Sequence, residues 1–211
     1  MSTTDLLAVF RSEISDATAP YLWSDALVYS YIDDAQKQFC RFTYGIDDSK
    51  NFTLSIVSGT QWYAVDKSIL QIHAAYDSVT GDEIPVKTIE QLPRIKFNGS
   101  TGPLDVLVKG LEARSLRAHP VPNKAQTIWL RTWRLPHDVI AGSNFEIDAH
   151  HIHALLMWVK HRAYSCQDAD GGDKLLAEEH RVKFVEYCNG AKTEQGRLRR
   201  SIAVTNFGGI K

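Results

Sequence analysis

The chain is 211 residues long, enough to bury one sizeable core without disulfide or metal staples. Its hydrophobic share of 44% and charged share of 23% belong to a folded globular protein and exclude a disordered one. With 24 Lys and Arg against 25 Asp and Glu, the formal net charge of -1 excludes a global attraction to nucleic acid or anionic membrane.

A short helix is expected over about Asp5 to Ser15, ended by Pro20. Next, "LWSDALVYSYIDDAQKQFCRFTYG" offers Ser24 as N-cap, Asp25 in the first turn and Gly45 as the stop. Between them Val28, Tyr31, Ile32, Ala35, Phe39 and Phe42 form one apolar helical stripe. From Phe52 the period changes to two. "FTLSIVSGTQWYAVD" reads as two short strands around Ser58-Gly59, followed by "ILQIHAAYD", "LDVLVKG", "SLRAHP" and "QTIWLRTWRLP". Turn formers separate these runs, and prolines from Pro85 to Pro136 fall at edges and loops.

After Pro136 the helical period returns, first in "DAHHIHALLMWVKHRAYSCQDAD" and then in "DKLLAEEHRVKFVEYCNG". The second of these carries a stripe of Leu176, Ala177, His180, Phe184 and Tyr187, closed by Gly190. His180, on that stripe, reads as a core histidine. The predicted class is α+β: a small helical bundle from residues 1–50 and 137–190, with an inserted antiparallel β unit at 51–136. Residues 191–211 lack a periodic face and read as a C-terminal tail.

On the helix opening at Asp148, Ile152, Leu155, Leu156, Val159, Ala163 and Cys166 share one side. His150, His153, Met157, His161 and Tyr164 share the other. At ~1.5 Å rise per residue His161 lies roughly 12 Å from His153 and roughly 16 Å from His150, too far apart to share one ion. His150 and His153 with Asp148 supply at most three ligands, without an H-E-x-x-H pattern. No metal and no cofactor is therefore expected. A second face of His, Met and Tyr has the composition of a subunit interface.

Enzyme chemistry finds no foothold. There is no G-x-S-x-G elbow and no phosphate-binding glycine loop. The acidic pairs Asp33-Asp34 and Asp47-Asp48 read as solvated helix and loop residues. Cys40, Cys166 and Cys188 are odd in number and form no C-x-x-C pair, which fits a reducing compartment. Among five tryptophans, Trp129 and Trp133 share one strand face, while Arg131 and Arg134 fall on opposite faces, so core or interface packing is favoured over a nucleic-acid stacking platform. No stretch reaches the ~20 apolar residues of a membrane span, and no signal peptide is read at the start.

Taken in order, four segments resemble the head-to-tail adaptor (connector) proteins of tailed bacteriophages, the family that includes tail tubular protein A of short-tailed phages. They are "LWSDALVYSYIDDAQKQFCRFT", "SIVSGTQWYAVDKSILQIHAA", "LRAHPVPNKAQTIWLRTWRLP" and "IDAHHIHALLMWVKHRAYSCQDADGGDKLLAEEHRVKF", spanning about Leu22 to Tyr187. The resemblance implies a structural virion protein of the neck, assembled in the host cytoplasm. It implies a homo-oligomeric ring, commonly dodecameric, between the portal protein and a tail or nozzle protein, with genomic DNA passing through without sequence-specific binding and no membrane partner. Ring closure needs two complementary surfaces per subunit, and the face of His150, His153, Met157, His161 and Tyr164 is the candidate for one. Arg197, Arg199, Arg200 and Phe207 are the candidate anchors of a portal-docking arm. A DNA-binding module is the alternative, and a metal-dependent enzyme a more distant one.

Overall fold

A computed structural model describes residues 1–92, 99–166 and 173–200, the last three of these in their backbone only. The chain folds as α+β in two compact units. One joins Met1–Gly45 to the described residues from Pro136 onward, and the other is Ile46–Leu135.

The helical unit begins with α1 (Thr3–Glu13), two residues earlier than expected. The reason is a capping box: the Ser2 hydroxyl accepts from the Asp5 amide at 3.2 Å, and the Asp5 carboxylate accepts from the Ser2 amide at 2.7 Å. Helix α1 ends before Ser15, which takes a left-handed φ of 58°, so Pro20 is not the terminator. Helix α2 (Asp25–Phe42) matches its sequence pattern, with Ser24 capping the Leu27 amide and Val28, Tyr31, Ile32, Ala35 and Phe39 buried.

A 3₁₀ turn at Ala149–His151 leads into α3 (Ile152–Tyr164), whose predicted apolar face is buried through Ile152, Leu155, Leu156, Val159 and Ala163. Helix α4 (Lys174–Arg200) overturns one expectation, because it passes straight through Gly190 and runs to Arg200. A lone glycine in a helix costs only about 1 kcal/mol. Beyond it Ala191 is buried and Lys192 lies 5.6 Å over the Tyr44 ring, so burial continues the helix where the periodic pattern had faded. The tail assigned to 191–211 therefore starts as helix.

Among its described residues the β unit holds ten strands. One sheet has the order β1 (Ile46–Ile56), β10 (Gln126–Arg134), β3 (Ile69–Asp77), β4 (Glu83–Ile84), all antiparallel. A second has the order β2 (Trp62–Ala64), β8 (Ser115–His119), β7 (Val106–Lys109), β5 (Val86–Thr88). Its β5–β7 pairing is parallel, as is the small pair β6 (Thr101–Gly102) and β9 (Val121–Pro122). The strands on either side of Ser58-Gly59 thus go to different sheets. Leu54, Ile56, Ile128 and Leu130 from the first sheet form one core with Tyr63, Leu107 and Leu116 from the second.

Strand β1 starts at Ile46, ahead of the expected Phe52, because Asp48 is not a solvated loop residue. The ladder slips between Asp48 and Phe52, and this bulge turns Asp48 inward. Arg134 donates from Nε to Asp48 at 2.7 Å, with the two side chains only 7% and 5% exposed. Burial by itself would raise the Asp48 pKa. The Arg134 guanidinium and the Asn51 and Lys50 amides outweigh it and hold the carboxyl well below the usual carboxylate range. The stability this gives is complete above the ordinary aspartate pKa of ~3.9 and is lost as pH falls through the lower folded value.

The alternation along β10 buries Ile128, Leu130, Thr132 and Arg134 and leaves Thr127, Trp129 and Arg131 outside. Trp129 and Trp62 are therefore surface residues, 45% and 39% exposed, and not core.

Asp48→Ala removes a buried carboxylate partner of Arg134 and is expected to cost about 3–5 kcal/mol in chemical denaturation. Asp47→Ala removes only an exposed partner of Arg131 and is expected to cost at most about 1 kcal/mol. Equal losses in the two variants would contradict the buried-pair assignment.

Candidate functional site

The segment from Asp148 to Tyr164 gathers most of the polar residues singled out in the sequence, and the structure separates them. His150 and His153 are exposed, while Met157, His161 and Tyr164 are half-buried. His161 places Nδ1 3.0 Å from the Ala177 carbonyl of α4, and its ring lies 4.9 Å from Trp158. Tyr164 stacks on His180 of α4 at 5.8 Å, with 10° between the planes, and meets Trp23 edge-on at 6.4 Å. The C-terminal half of the histidine-bearing face is thus occupied by α4 of the same chain. His150 and His153 remain on the surface.

The histidine that sequence reasoning left aside is the one most firmly placed. His151 is 3% exposed, packs its ring 4.8 Å from Phe39 of α2, and has Nδ1 3.0 Å from the Tyr187 hydroxyl. Burial, and then its neighbour His150, lower its pKa. Asp148, His150 and His151 bring one ligand-capable atom each to within 4.8 Å of one another. His153, the partner that a continuous helix would have given His150, is not among them. The signal was available: in a 3₁₀ turn side chains at i and i+3 eclipse, which aligns Asp148 with His151.

The acidic residues of α2 are fasteners. Asp34 accepts from Trp158 Nε1 at 2.8 Å, and Asp33 accepts from the Val139 amide at 2.9 Å and from Lys37 at 2.6 Å. Lys37 also pairs with Asp138. Gln36 donates to the His137 carbonyl at 2.8 Å, and the Thr3 hydroxyl donates to the Ile140 carbonyl at 2.9 Å. Together these bonds tie residues 137–140 to α1 and α2. Buried Arg11 is met by Asp16 at 2.7 Å, by Asp25 and by the Trp23 carbonyl at 2.9 Å.

Two of the three cysteines are closed off from solvent. Cys40 and Cys188 are buried, and burial, with Cys40 nearby, pushes the Cys188 thiol up to about 12. In the β unit, Arg131 shares the outer face with Trp129 but is paired to Asp47 at 3.0 Å, so its charge is already met.

Of the arm candidates, Arg197 is exposed and lines a 330 Å³ hollow with Tyr44, Lys192, Thr193 and Gly196. Arg199 and Arg200 lie on the last turn of α4, and Phe207 lies outside the described residues. Large apolar side chains stand in solvent on both units: Leu175 (83%) and Val182 (41%) on α4, and Val57 (54%) with Trp62 and Trp129 on the β unit. Such side chains on both units are candidate protein contacts.

A two-unit α+β chain whose polar clusters fasten helices together, with apolar residues left uncovered on both units, has the character of an assembly protein. The SU10 adaptor protein family matches residues 1–205, and the chain belongs to that family of bacteriophage adaptors. The family is one of structural virion proteins, not of enzymes. Among curated proteins none matches the sequence.

His180 generates a pH prediction. Its pKa is lowered by burial first and then by Lys160 and Lys183, which outweigh Glu179 and Glu13. Its buried Nδ1 finds no hydrogen-bond partner among the described residues. Because the unfolded chain takes up this proton more readily, stability is expected to fall as pH drops below the unfolded value of ~6.5. His180→Phe keeps the stack on Tyr164 and should flatten part of the Tm decline between neutral and mildly acidic pH. An unchanged slope would remove His180 from the account.

Proposed function

We propose that this protein is a ring-forming head-to-tail adaptor of the tail tubular protein A type, joining the portal to the tail and continuing the DNA exit channel. The observation that carries the reading is the family match over residues 1–205, which includes both units and the stretch beyond α4. A closed ring of identical subunits needs two different complementary surfaces on each copy. The two units supply candidates: exposed Leu175 and Val182 on α4, exposed His150 and His153 with half-buried Met157 at and along α3, and exposed Trp62, Trp129 and Val57 on the β unit. His161 and Tyr164 contribute by holding α4 against α3. A near-neutral chain also suits a DNA channel, because each phosphate neutralised by a fixed cation would retard passage.

Portal docking is assigned to the C-terminal arm, with Arg197, Arg199, Arg200 and Phe207 as its charged and apolar anchors. Since α4 continues to Arg200, the three arginines stand on its last turns and Phe207 lies beyond them, so the part that can be removed without harm to the fold begins after Arg200 and not at Ala191. A chain ending at Arg200 lacks Phe207 and is expected to keep the Tm of the full protein and to attach more weakly to the portal of the same phage in co-sedimentation, and adding Arg197→Ala, Arg199→Ala and Arg200→Ala should abolish attachment. A chain ending at Asn189 loses buried Ala191 and the Lys192–Tyr44 contact and should also melt lower. Portal attachment by the chain lacking Phe207 and all three arginines equal to that of the full protein would overturn the arm assignment.

A further inference from the structure

We propose that Asp148, His150 and His151 form a binding site for one divalent transition-metal ion of the zinc type. The site is separate from the adaptor reading and does not rest on it.

The first ground is backbone geometry. Asp148 caps the 3₁₀ turn Ala149–His151, and the His151 amide donates to the Asp148 carbonyl at 3.0 Å. This tight turn sets residues 148 and 151 one above the other, while the His150 ring lies 3.8 Å from that of His151. One ligand-capable atom from each residue therefore falls within 4.8 Å of the others. Donor atoms bound to one zinc at ~2.0–2.2 Å in a tetrahedron stand roughly 3.5 Å apart. The remaining approach is small, and Asp148 and His150 are exposed and free to rotate through it.

The second ground is how His151 is held. Its Nδ1 faces the Tyr187 hydroxyl at 3.0 Å, and that hydroxyl is 3.4 Å from the His150 carbonyl. The arrangement that serves both contacts has the tyrosine proton on the His150 carbonyl, which only accepts, and the tyrosine oxygen accepting from Nδ1–H of His151. Nε2 then carries the lone pair and is the nitrogen left for a metal. Ligating histidines commonly donate their other ring N–H in this way, which fixes tautomer and ring orientation together. Phe39 packs against the same ring at 4.8 Å, so one ligand is preorganised on the core while two can close over the ion.

The donor set decides the class of ion. Two imidazole nitrogens and one carboxylate suit zinc, cobalt, nickel or copper, whereas magnesium and calcium prefer oxygen alone. Three protein ligands leave a position open to water or to a donor from a second copy of the chain.

The test uses the full-length protein, stripped with chelator and desalted, titrated with zinc chloride by calorimetry and with cobalt(II) by visible absorption. One ion per chain is expected, with a rise in Tm on zinc addition. Asp148→Asn and His150→Ala, both at exposed positions, should weaken binding tenfold or more. His153→Ala, one turn along the exposed surface, should bind like the parent. Failure to bind stoichiometrically, unchanged affinity in Asp148→Asn and His150→Ala, or an equal loss in His153→Ala would each overturn the site.

Discussion

The buried Asp48–Arg134 pair closes the ladder on which the β unit depends. Strands β1 and β10 are the first and last of that unit, and Ile46 pairs with Arg134, so its two chain ends lie side by side. An inserted unit must begin and end in one place, and antiparallel pairing of its terminal strands meets that demand. The ion pair then works less as a source of net stability than as a device that fixes register. Out of register, this pair would be broken in a dry site, at a cost of several kcal/mol. Strand β10 also pairs with β3, so the same register is passed to the middle of the sheet.

The helical unit follows a similar logic with partly exposed groups. Asp33, Asp34, Gln36 and Thr3 hold residues 137–140 and α3 to the first two helices, where each apolar stripe already supplies the burial. The stripes give the drive to pack and these polar contacts give the alignment. Helix α4 completes the bundle through Phe184, Cys188 and Ala191, and carries the chain on to Arg200.

Much of this was legible in the sequence, because apolar periodicity reports directly on burial. The stripe of α2, the inner face of α3 and the strand pattern of β10 appear where Val28, Ile152 and Ile128 predict them. The class α+β follows from the change of period at the β region. What escaped reading depended on partners distant in sequence. Nothing near Asp48 announces Arg134, and nothing near Gly190 announces that Tyr44 will meet α4 beyond it. The face of His150, His153, Met157, His161 and Tyr164 was read as one contact face, and a single stripe does not tell that α4 of the same chain meets His161 and Tyr164 while His150 and His153 stay exposed. His151 was missed for a local reason: read as α-helix, the stretch pairs His150 with His153, whereas the 3₁₀ turn eclipses Asp148 with His151.

The adaptor reading rests on this chain building a ring against a portal, and mixing the two tests that claim most directly. Purified protein would be combined with the portal ring of the same phage at near-physiological salt and followed by sedimentation and negative-stain class averages. A discrete stack with one added ring, at a fixed number of copies per portal, is the predicted result. Two species that sediment separately across the full range of ratios would contradict the account.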